Sequence, residues 1–168
     1  QRHHLSLGGL LERNDIHVRL TGQNARATLT GTLLCGSKDR SDNQIVLEHR
    51  APNCSSTARY HGVANQHGKL TFGGRIHILP DAAGTDARLH NPNLLLADTA
   101  EINTKPELEI YNDDVACAHG ATVGQLNDDA VFYLRSRGID RSAAQALLLR
   151  GFVDNGLSGP DEVYMTTL

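Results

Sequence analysis

The stretch LTFGGRIHI, residues 70–78, decides the fold class of this chain. Leu70, Phe72, Ile76 and Ile78 alternate with other residues across two central glycines. Alternation with a period of two is typical of a β-strand that has one buried face. Pro80-Asp81 follows and indicates a turn. The stretch therefore predicts a short, half-buried strand.

Shorter runs with the same alternation occur on both sides of this stretch. They lie at residues 16–20, 27–33, 45–47 and 108–110, and clusters of Gly, Asn, Asp and Pro separate them. No segment between these runs has a helical period, which excludes a doubly wound α/β domain. A mainly β fold remains, either a sandwich, a barrel or a β-solenoid.

Short strands, small aliphatic interiors and recurring asparagines favour the solenoid. Stacked coils place like residues above one another and use Asn and Gly at left-handed corners. The asparagines assigned to the breaks are Asn43, Asn53, Asn65, Asn91, Asn93, Asn103 and Asn112. Because the repeat period is irregular, the pattern alone leaves the other two architectures open. The β region is predicted to span residues 1–126.

The pattern changes after Leu126, where helix signals begin. Asn127 can cap a first helix that Gly138 ends, and Asp140 can cap a second helix over about residues 141–155. The residues predicted to form the buried stripe of the second helix are Ala143, Ala146, Leu147 and Leu148. A helical region at 127–157 and a loose tail at 158–168 are the predicted end of the chain.

Composition and charge exclude several classes of function. The net charge of −3 with mixed signs argues against nucleic-acid binding, which needs clustered Lys and Arg. No apolar run has the length of a membrane span, and no signal-peptide pattern opens the chain. The first residues read like the middle of a domain, so we expect a piece of a longer chain.

Three cysteines, Cys35, Cys54 and Cys117, include no CxxC pair. An odd number without that spacing makes a poor disulfide framework, which favours a reducing compartment. Cys35 and Cys54 are interpreted as small buried hydrophobic residues.

Cys117 and His119 are two residues apart, so on a strand they lie on the same face. A thiolate beside an imidazole is half of a site suited to iron or zinc, and further ligands must come from elsewhere. Val115 has the same parity, which equally allows Cys117 to fill a core. Exposed strand positions are expected for most of the other histidines, which are His3, His4, His17, His49, His61, His67, His77 and His90.

The run from Asp113 to Leu126, followed by residues 132–139, closely resembles the C-terminal signature of the SufB/SufD family of iron–sulfur cluster assembly proteins. Residues 104–110, 94–96, 73–77 and 6–9 fit the same family, so the resemblance covers about residues 5–152. Cys117 and Gly120 resemble SufD, because the SufB branch typically has Glu at both positions. The upstream active-site cysteine of SufB also has no match here.

The resemblance implies a right-handed parallel β-helix followed by a C-terminal helical region. It also implies a non-catalytic scaffold that pairs with a SufB-type subunit through its last strands and binds the ABC ATPase SufC through residues 127–157. No tightly bound cofactor is expected, only transient iron or an iron–sulfur cluster at the SufB–SufD interface. The cytoplasm of a bacterium or the stroma of a plastid is the expected location.

For the site, the resemblance implies that Cys117 and His119 face the SufB-type partner. His119 is the expected ligand or proton-transfer group, and Cys117 is a supporting thiol. A free last strand also predicts a homodimer for the isolated protein. Two alternatives stay open: a SufB-type paralogue, and a polysaccharide-active enzyme built on a β-helix.

Overall fold

The computed structural model describes residues 1–157, which form nine β-strands and two α-helices. The strands are β1 (Arg2–Ser6), β2 (Glu12–Leu20), β3 (Arg26–Cys35), β4 (Arg40–His49), β5 (Ser55–Ala64), β6 (Lys69–Ile78), β7 (Thr85–Leu95), β8 (Glu101–Ile110) and β9 (Val115–Gly124). The helices are α1 (Asp128–Ser136) and α2 (Arg141–Leu157). The tail predicted at 158–168 lies outside the described residues.

The strands alternate between two parallel sheets. The odd-numbered strands form one sheet in the order β1-β3-β5-β7-β9, and the even-numbered strands form the other in the order β2-β4-β6-β8. Each strand pairs in parallel with the strand one coil later, so the chain winds into a β-solenoid of about four coils. The predicted solenoid is confirmed, and the sandwich and the barrel are excluded.

The coil length explains why the repeat is hard to see in the sequence. Glu12 pairs with Ser41, which is 29 positions later, whereas Lys69 pairs with Glu101, which is 32 positions later. Three strands, β1, β5 and β7, carry no clear apolar alternation, because serines, threonines, asparagines and charged residues occupy many of their positions. A drifting period and polar strands together hide the repeat.

The core consists of columns of residues that stack from coil to coil. Val18, Leu47, Ile76 and Leu108 form one such column in the even-numbered sheet. Leu47 and Ile76, in the middle coils, are fully buried. Full burial of an aliphatic side chain of this size contributes about 1.5–3 kcal/mol, so the middle of each column supplies most of the stability.

Asparagines serve two purposes, and only one of them was predicted. Asn53 has a left-handed backbone with φ of 56° at a corner, as expected. Asn43, Asn91, Asn93 and Asn103, assigned to breaks, lie within strands instead.

The buried asparagines of β7 form hydrogen bonds to both neighbouring strands, and Asn91 bridges a gap in the pairing with β5. Regular pairing between β5 and β7 stops at His90 and resumes at Asn93, and Pro92 between them has no backbone N–H. The Asn91 side chain donates to the carbonyl of Tyr60 at 2.8 Å, and the Asn93 side chain donates to the carbonyl of Thr122 at 3.1 Å. Side-chain amides therefore carry hydrogen bonds beside a residue that cannot donate one.

Both helices begin at the predicted caps. The Asn127 side chain accepts from the N–H of Ala130 at 3.0 Å, and the Asp140 side chain accepts from the N–H groups of Ser142 and Ala143. Neither described helix is long and apolar enough to cross a membrane.

The predicted buried stripe of α2 is wrong. Ala143, Ala146 and Leu147 are exposed, and Leu148 is half-buried. The helix instead buries Ala144 and contacts β3 and β5 through residues near its end, among them Phe152. The prediction failed because the helix meets the sheet near its end, where Phe152 and Gly156 contact β3 and β5.

Cys35 and Cys54 are buried, as predicted, and their thiols lie close to backbone carbonyls. The expectation for the histidines is only partly correct. His3, His17, His67 and His90 are exposed, whereas His49 and His61 are buried. The Nε2 atom of His49 lies 2.8 Å from the hydroxyl of Ser56, which gives the buried ring one polar partner.

Candidate functional site

The last coil of the solenoid is open. β8 is the final strand of the even-numbered sheet and β9 is the final strand of the odd-numbered sheet, so each has a strand neighbour on one side only within residues 1–157. The other edge of each strand presents backbone N–H and C=O groups that a further strand can pair with. We call this surface, formed by β8 and β9, the open end.

On the β8 side, the open end exposes residues of the core columns. Ile76 and Ile78 of β6 are 0% exposed. Leu108 and Ile110 stack on them in β8, where Leu108 is half-buried and Ile110 is 42% exposed. The apolar interior therefore continues to the surface of the last coil.

On the β9 side, the predicted pair occupies the same kind of position. Cys117 stacks on Ala87 and His119 stacks on Leu89, and both partners are buried core residues. Cys117 is half-buried and packs against the core, whereas His119 is exposed. Cys117 and His119 are thus the last residues of two neighbouring columns that face the core. A further coil or a partner protein would cover both side chains.

The surroundings of Cys117 disfavour its thiolate form. Burial raises the pKa of this thiol above its ordinary value, and the carboxylate of Asp86 adds to the shift, while a hydrogen bond with the backbone of Ala87 opposes it. Because only the thiolate is a good nucleophile or metal ligand, Cys117 needs a nearby cation or metal to become either.

The open end alone holds too few ligands for a metal centre. No group of three or more His, Cys, Asp or Glu side chains within residues 1–157 could hold a metal ion. Cys117 and His119 offer two ligands, whereas tetrahedral zinc sites and iron–sulfur clusters commonly take four from protein. Any centre at this position requires ligands from a second surface.

The helical pair forms a second exposed surface. Phe132 is 71% exposed and Tyr133 is 57% exposed on α1. The guanidinium carbon of Arg137 lies 5.1 Å from the centre of the Tyr133 ring, and Arg135 and Arg141 are also exposed around the turn between the helices. We call these five residues the aromatic–arginine corner.

Sequence reasoning identified the residues of both surfaces without identifying their exposure. Ile110 follows the same alternation as the buried strands, so nothing local marks it as uncovered. The change to helical sequence after Leu126 was the available signal, because it indicates where the stack of coils stops. Phe132 and Tyr133 lie in the predicted first helix and in the family signature, and neither of these predicts that their rings are exposed.

Comparison with known proteins gives the family. The family described as "SUF system FeS cluster assembly, SufBD core domain" matches residues 1–152, which is most of the chain. This chain belongs to the SufBD family. The matched region includes the open end and α1.

Several SufBD relatives are similar over most of this chain. The iron–sulfur cluster assembly protein SufD of Escherichia coli is 37% identical over 150 residues, which are 89% of this chain and 36% of that protein. Protein ABCI7, chloroplastic, of Arabidopsis thaliana is 34% identical, with 88% of this chain and 31% of that protein covered. The iron–sulfur cluster assembly protein SufB of Bacillus subtilis is 31% identical, with 80% and 29% covered. The chain thus spans about a third of the length of these SufBD relatives.

Proposed function

We propose that this chain belongs to a SufD-type scaffold subunit for iron–sulfur cluster assembly, without catalytic activity of its own. The observation that carries the proposal is the open end, where two sheet edges and the core columns stop uncovered beside Cys117 and His119. Membership of the SufBD family supports the link to cluster assembly. The proposed location is the bacterial cytoplasm or the plastid stroma.

The open end is the proposed binding surface for a SufB-type subunit. A coil from a similar solenoid would pair with the free edges of β8 and β9 and cover Ile110 and Val123, which are 42% and 43% exposed. Sheet-edge hydrogen bonds together with apolar burial are a common basis for strand addition. Without that partner, the same surface on a second copy would form a homodimer.

Cys117 and His119 are the proposed contribution of this chain to an assembly site shared with the partner. Transient iron or a cluster is the cargo of that site, and the partner supplies the remaining ligands. His119, which is exposed, acts as a ligand or proton-transfer group. Cys117, which is half-buried, supports it as a thiol that a metal would deprotonate.

The aromatic–arginine corner is the proposed docking surface for a SufC-type ATPase, which supplies any ATP hydrolysis. Exposed aromatic rings and arginines are the residues most enriched at the energetic centres of protein interfaces. The 71% exposure of Phe132 supports this assignment, because a large apolar ring in water is stabilised when a partner covers it.

A SufB-type paralogue is the second candidate, and the SufB of Bacillus subtilis does match this chain. The residues at the expected motif favour SufD, because Cys117 and Gly120 stand where the SufB branch typically has Glu. A polysaccharide-active solenoid enzyme would need several Asp, Arg or Lys residues converging on one face for catalysis. The even-numbered sheet does carry charges, but Arg75 and Glu107 pair with each other there, as do Lys69 and Glu101.

The pairing proposal is tested by charge substitutions at the open end. Ile110→Lys combined with Val123→Lys should abolish co-purification with a SufB-type subunit and convert a homodimer to a monomer, because each lysine would be buried without a partner. Thr57→Lys, on the outward face of β5, is the matched control and should leave binding unchanged. Normal binding by the double variant would contradict the proposal.

The docking proposal is tested by truncating the exposed rings. Phe132→Ala and Tyr133→Ala should each weaken capture of a SufC-type ATPase by tenfold or more, in the range of interface hot spots. Leu10→Ala removes an apolar side chain that is 84% exposed far along the sequence from the helices, and it should have no effect. Capture that persists when the chain is shortened at Asn127 would exclude a helical docking surface.

The cluster proposal is tested in the assembled complex. His119→Ala should lower cluster formation, measured by visible absorbance and by iron and sulfide content, without changing assembly of the complex. His67→Ala, at an exposed turn, is the control. Normal cluster formation in His119→Ala would remove the role assigned to this residue, whereas the pairing tests would be unaffected.

A further inference from the structure

The last turns of α2 cover part of the outward face of the odd-numbered sheet. The Phe152 ring lies 4.9 Å from the His61 ring, centre to centre, in an edge-to-face arrangement. Gly156 approaches the same place so closely that a Cβ atom on it would lie 2.6 Å from the Thr32 hydroxyl and 2.9 Å from His61. Thr32 and His61 are direct neighbours on β3 and β5, so one turn of helix covers both.

This contact buries two polar atoms without giving either a hydrogen bond. Thr32 is 0% exposed and His61 is 6% exposed. Within residues 1–157, neither the hydroxyl oxygen of Thr32 nor the Nδ1 atom of His61 has a hydrogen-bond partner. Thr30 on the same face differs, because its hydroxyl contacts the imidazole of His3. Each unpartnered buried atom disfavours the closed contact by roughly 5- to 150-fold relative to a hydrated one.

Glycines weaken the second half of the helix, although Arg150 and Asp154 form an ion pair there at 3.5 Å. Gly151 and Gly156 lie in its second half, and each glycine weakens a helix relative to alanine. Gly156 is nevertheless required for the close approach, because any side chain there would collide with β3 and β5. The first half is better anchored, since Asp140 caps it and Ala144 is fully buried.

We propose that the segment Phe152–Gly156 is a releasable latch, which closes on Thr32 and His61 and opens to let water reach both side chains. The first half of α2 remains helical when the latch opens. The latch is a conformational property of the chain itself and goes beyond the scaffold function proposed above. In the open state the last turns of α2 lose both their contact with β3 and β5 and their own helical hydrogen bonds.

The latch is tested by amide hydrogen exchange on the intact protein. Amides in the last turns of α2 should exchange much faster than those of β6, because they open without global unfolding. Thr32→Val and His61→Phe each remove one unpartnered polar atom while keeping the shape of the contact. Each should slow exchange in the last turns of α2 by roughly tenfold, and neither should change exchange in α1.

Two glycine variants provide the matched comparison. Gly156→Ala should hold the latch open and bring exchange of its amides close to that of an unstructured segment. Gly151→Ala has open space around the added Cβ atom, so it should slow exchange slightly through helix propensity alone. The latch proposal is wrong if Thr32→Val and His61→Phe both leave amide exchange in the last turns of α2 unchanged or increase it. It is also wrong if these amides exchange no faster than those of β6.

Discussion

The middle coils and the last coil have the same kind of sequence and a different degree of burial. Ile78 of β6 and Ile110 of β8 are direct neighbours in one column. Ile78 is 0% exposed, whereas Ile110 is 42% exposed. The difference comes from the coil that follows, because β6 has a neighbour on both sides and β8 has one on one side only in the described chain. In a solenoid, burial is supplied by the next coil rather than by the strand itself.

The largest expected effect compares these two isoleucines directly. Ile78→Ala should lower the free energy of unfolding by about 2–5 kcal/mol, because it leaves a cavity in a closed core. In the monomer, Ile110→Ala should cost about 1 kcal/mol or less, because water reaches the side chain when no second copy covers it. Urea unfolding of both variants measures the contrast.

The same comparison should change when the open end is covered. With a SufB-type partner bound, Ile110→Ala should weaken the complex, whereas Ile78→Ala should leave the affinity of the folded protein unchanged. Equal losses of stability for the two variants in the monomer would show that the last coil is closed even without a second copy.

Much of the fold could be predicted from periodicity, where periodicity is present. The strands β2, β4, β6 and β8 show alternation that the structure bears out. β5 was not predicted as a strand, because its inward positions include Ser56, Ala58 and Tyr60 rather than a uniform row of aliphatic residues. β7 was not predicted as a strand, because Pro92 interrupts its pairing with β5. The buried Asn91 side chain bridges this gap through a hydrogen bond to Tyr60 that exists only in the folded chain.

The candidate site was predictable in identity but not in surroundings. The spacing of Cys117 and His119 predicts a common face, and both stack on inward residues of β7. Both lack a following coil in the described chain, yet Cys117 packs against the core and His119 is exposed, and their spacing alone does not predict this difference. The contact made by α2 was missed for a similar reason, because Phe152 reaches His61 from a distant part of the sequence.

A smaller effect is expected from two glycines on opposite faces of the odd-numbered sheet, because Gly31 pairs with buried Tyr60 and Gly120 pairs with exposed His90. Gly31 lies in a middle coil, where an added Cβ atom would sit 2.3 Å from the Tyr60 ring. Gly120 lies in β9, where the nearest atom would be 3.8 Å away on His90. Gly31→Ala should therefore cost about 1–3 kcal/mol through overpacking, and Gly120→Ala should be nearly neutral in thermal or urea unfolding. A large loss from Gly120→Ala would mean that the outward face of β9 is covered.

The smallest expected effect is the response of a buried histidine to pH. Burial, with further contributions from Arg59 and His90, lowers the pKa of His61 to about 4. The unfolded chain binds this proton near pH 6.5, so the stability contribution is complete above that pH and is lost as pH falls from 6.5 toward 4. The loss for His61 should be about 1 kcal/mol at pH 5.5.

Urea unfolding at pH 8 and pH 5.5 isolates this contribution. His61→Phe should reduce the dependence on pH, whereas His67→Gln, at an exposed position, should not. If the free energy of unfolding depends on pH equally in His61→Phe and in the unsubstituted protein, then water reaches His61 in the folded state. The middle coils would then be less fully closed than the contrast with the last coil implies.

The length of the coils also affects how the protein folds during its synthesis. Strand partners lie 27 residues apart for β1 and β3 and 32 apart for β6 and β8. A strand leaving the ribosome therefore waits for about thirty more residues, or roughly 1.5–6 seconds at ordinary rates of synthesis, before its partner exists. Loop closure costs nearly the same for every coil, because the cost depends only weakly on length. The nascent chain thus exposes an unpaired strand edge, which can pair with other chains, at each step of translation. The speed of the ribosome sets how long each edge stays exposed before the next coil covers it.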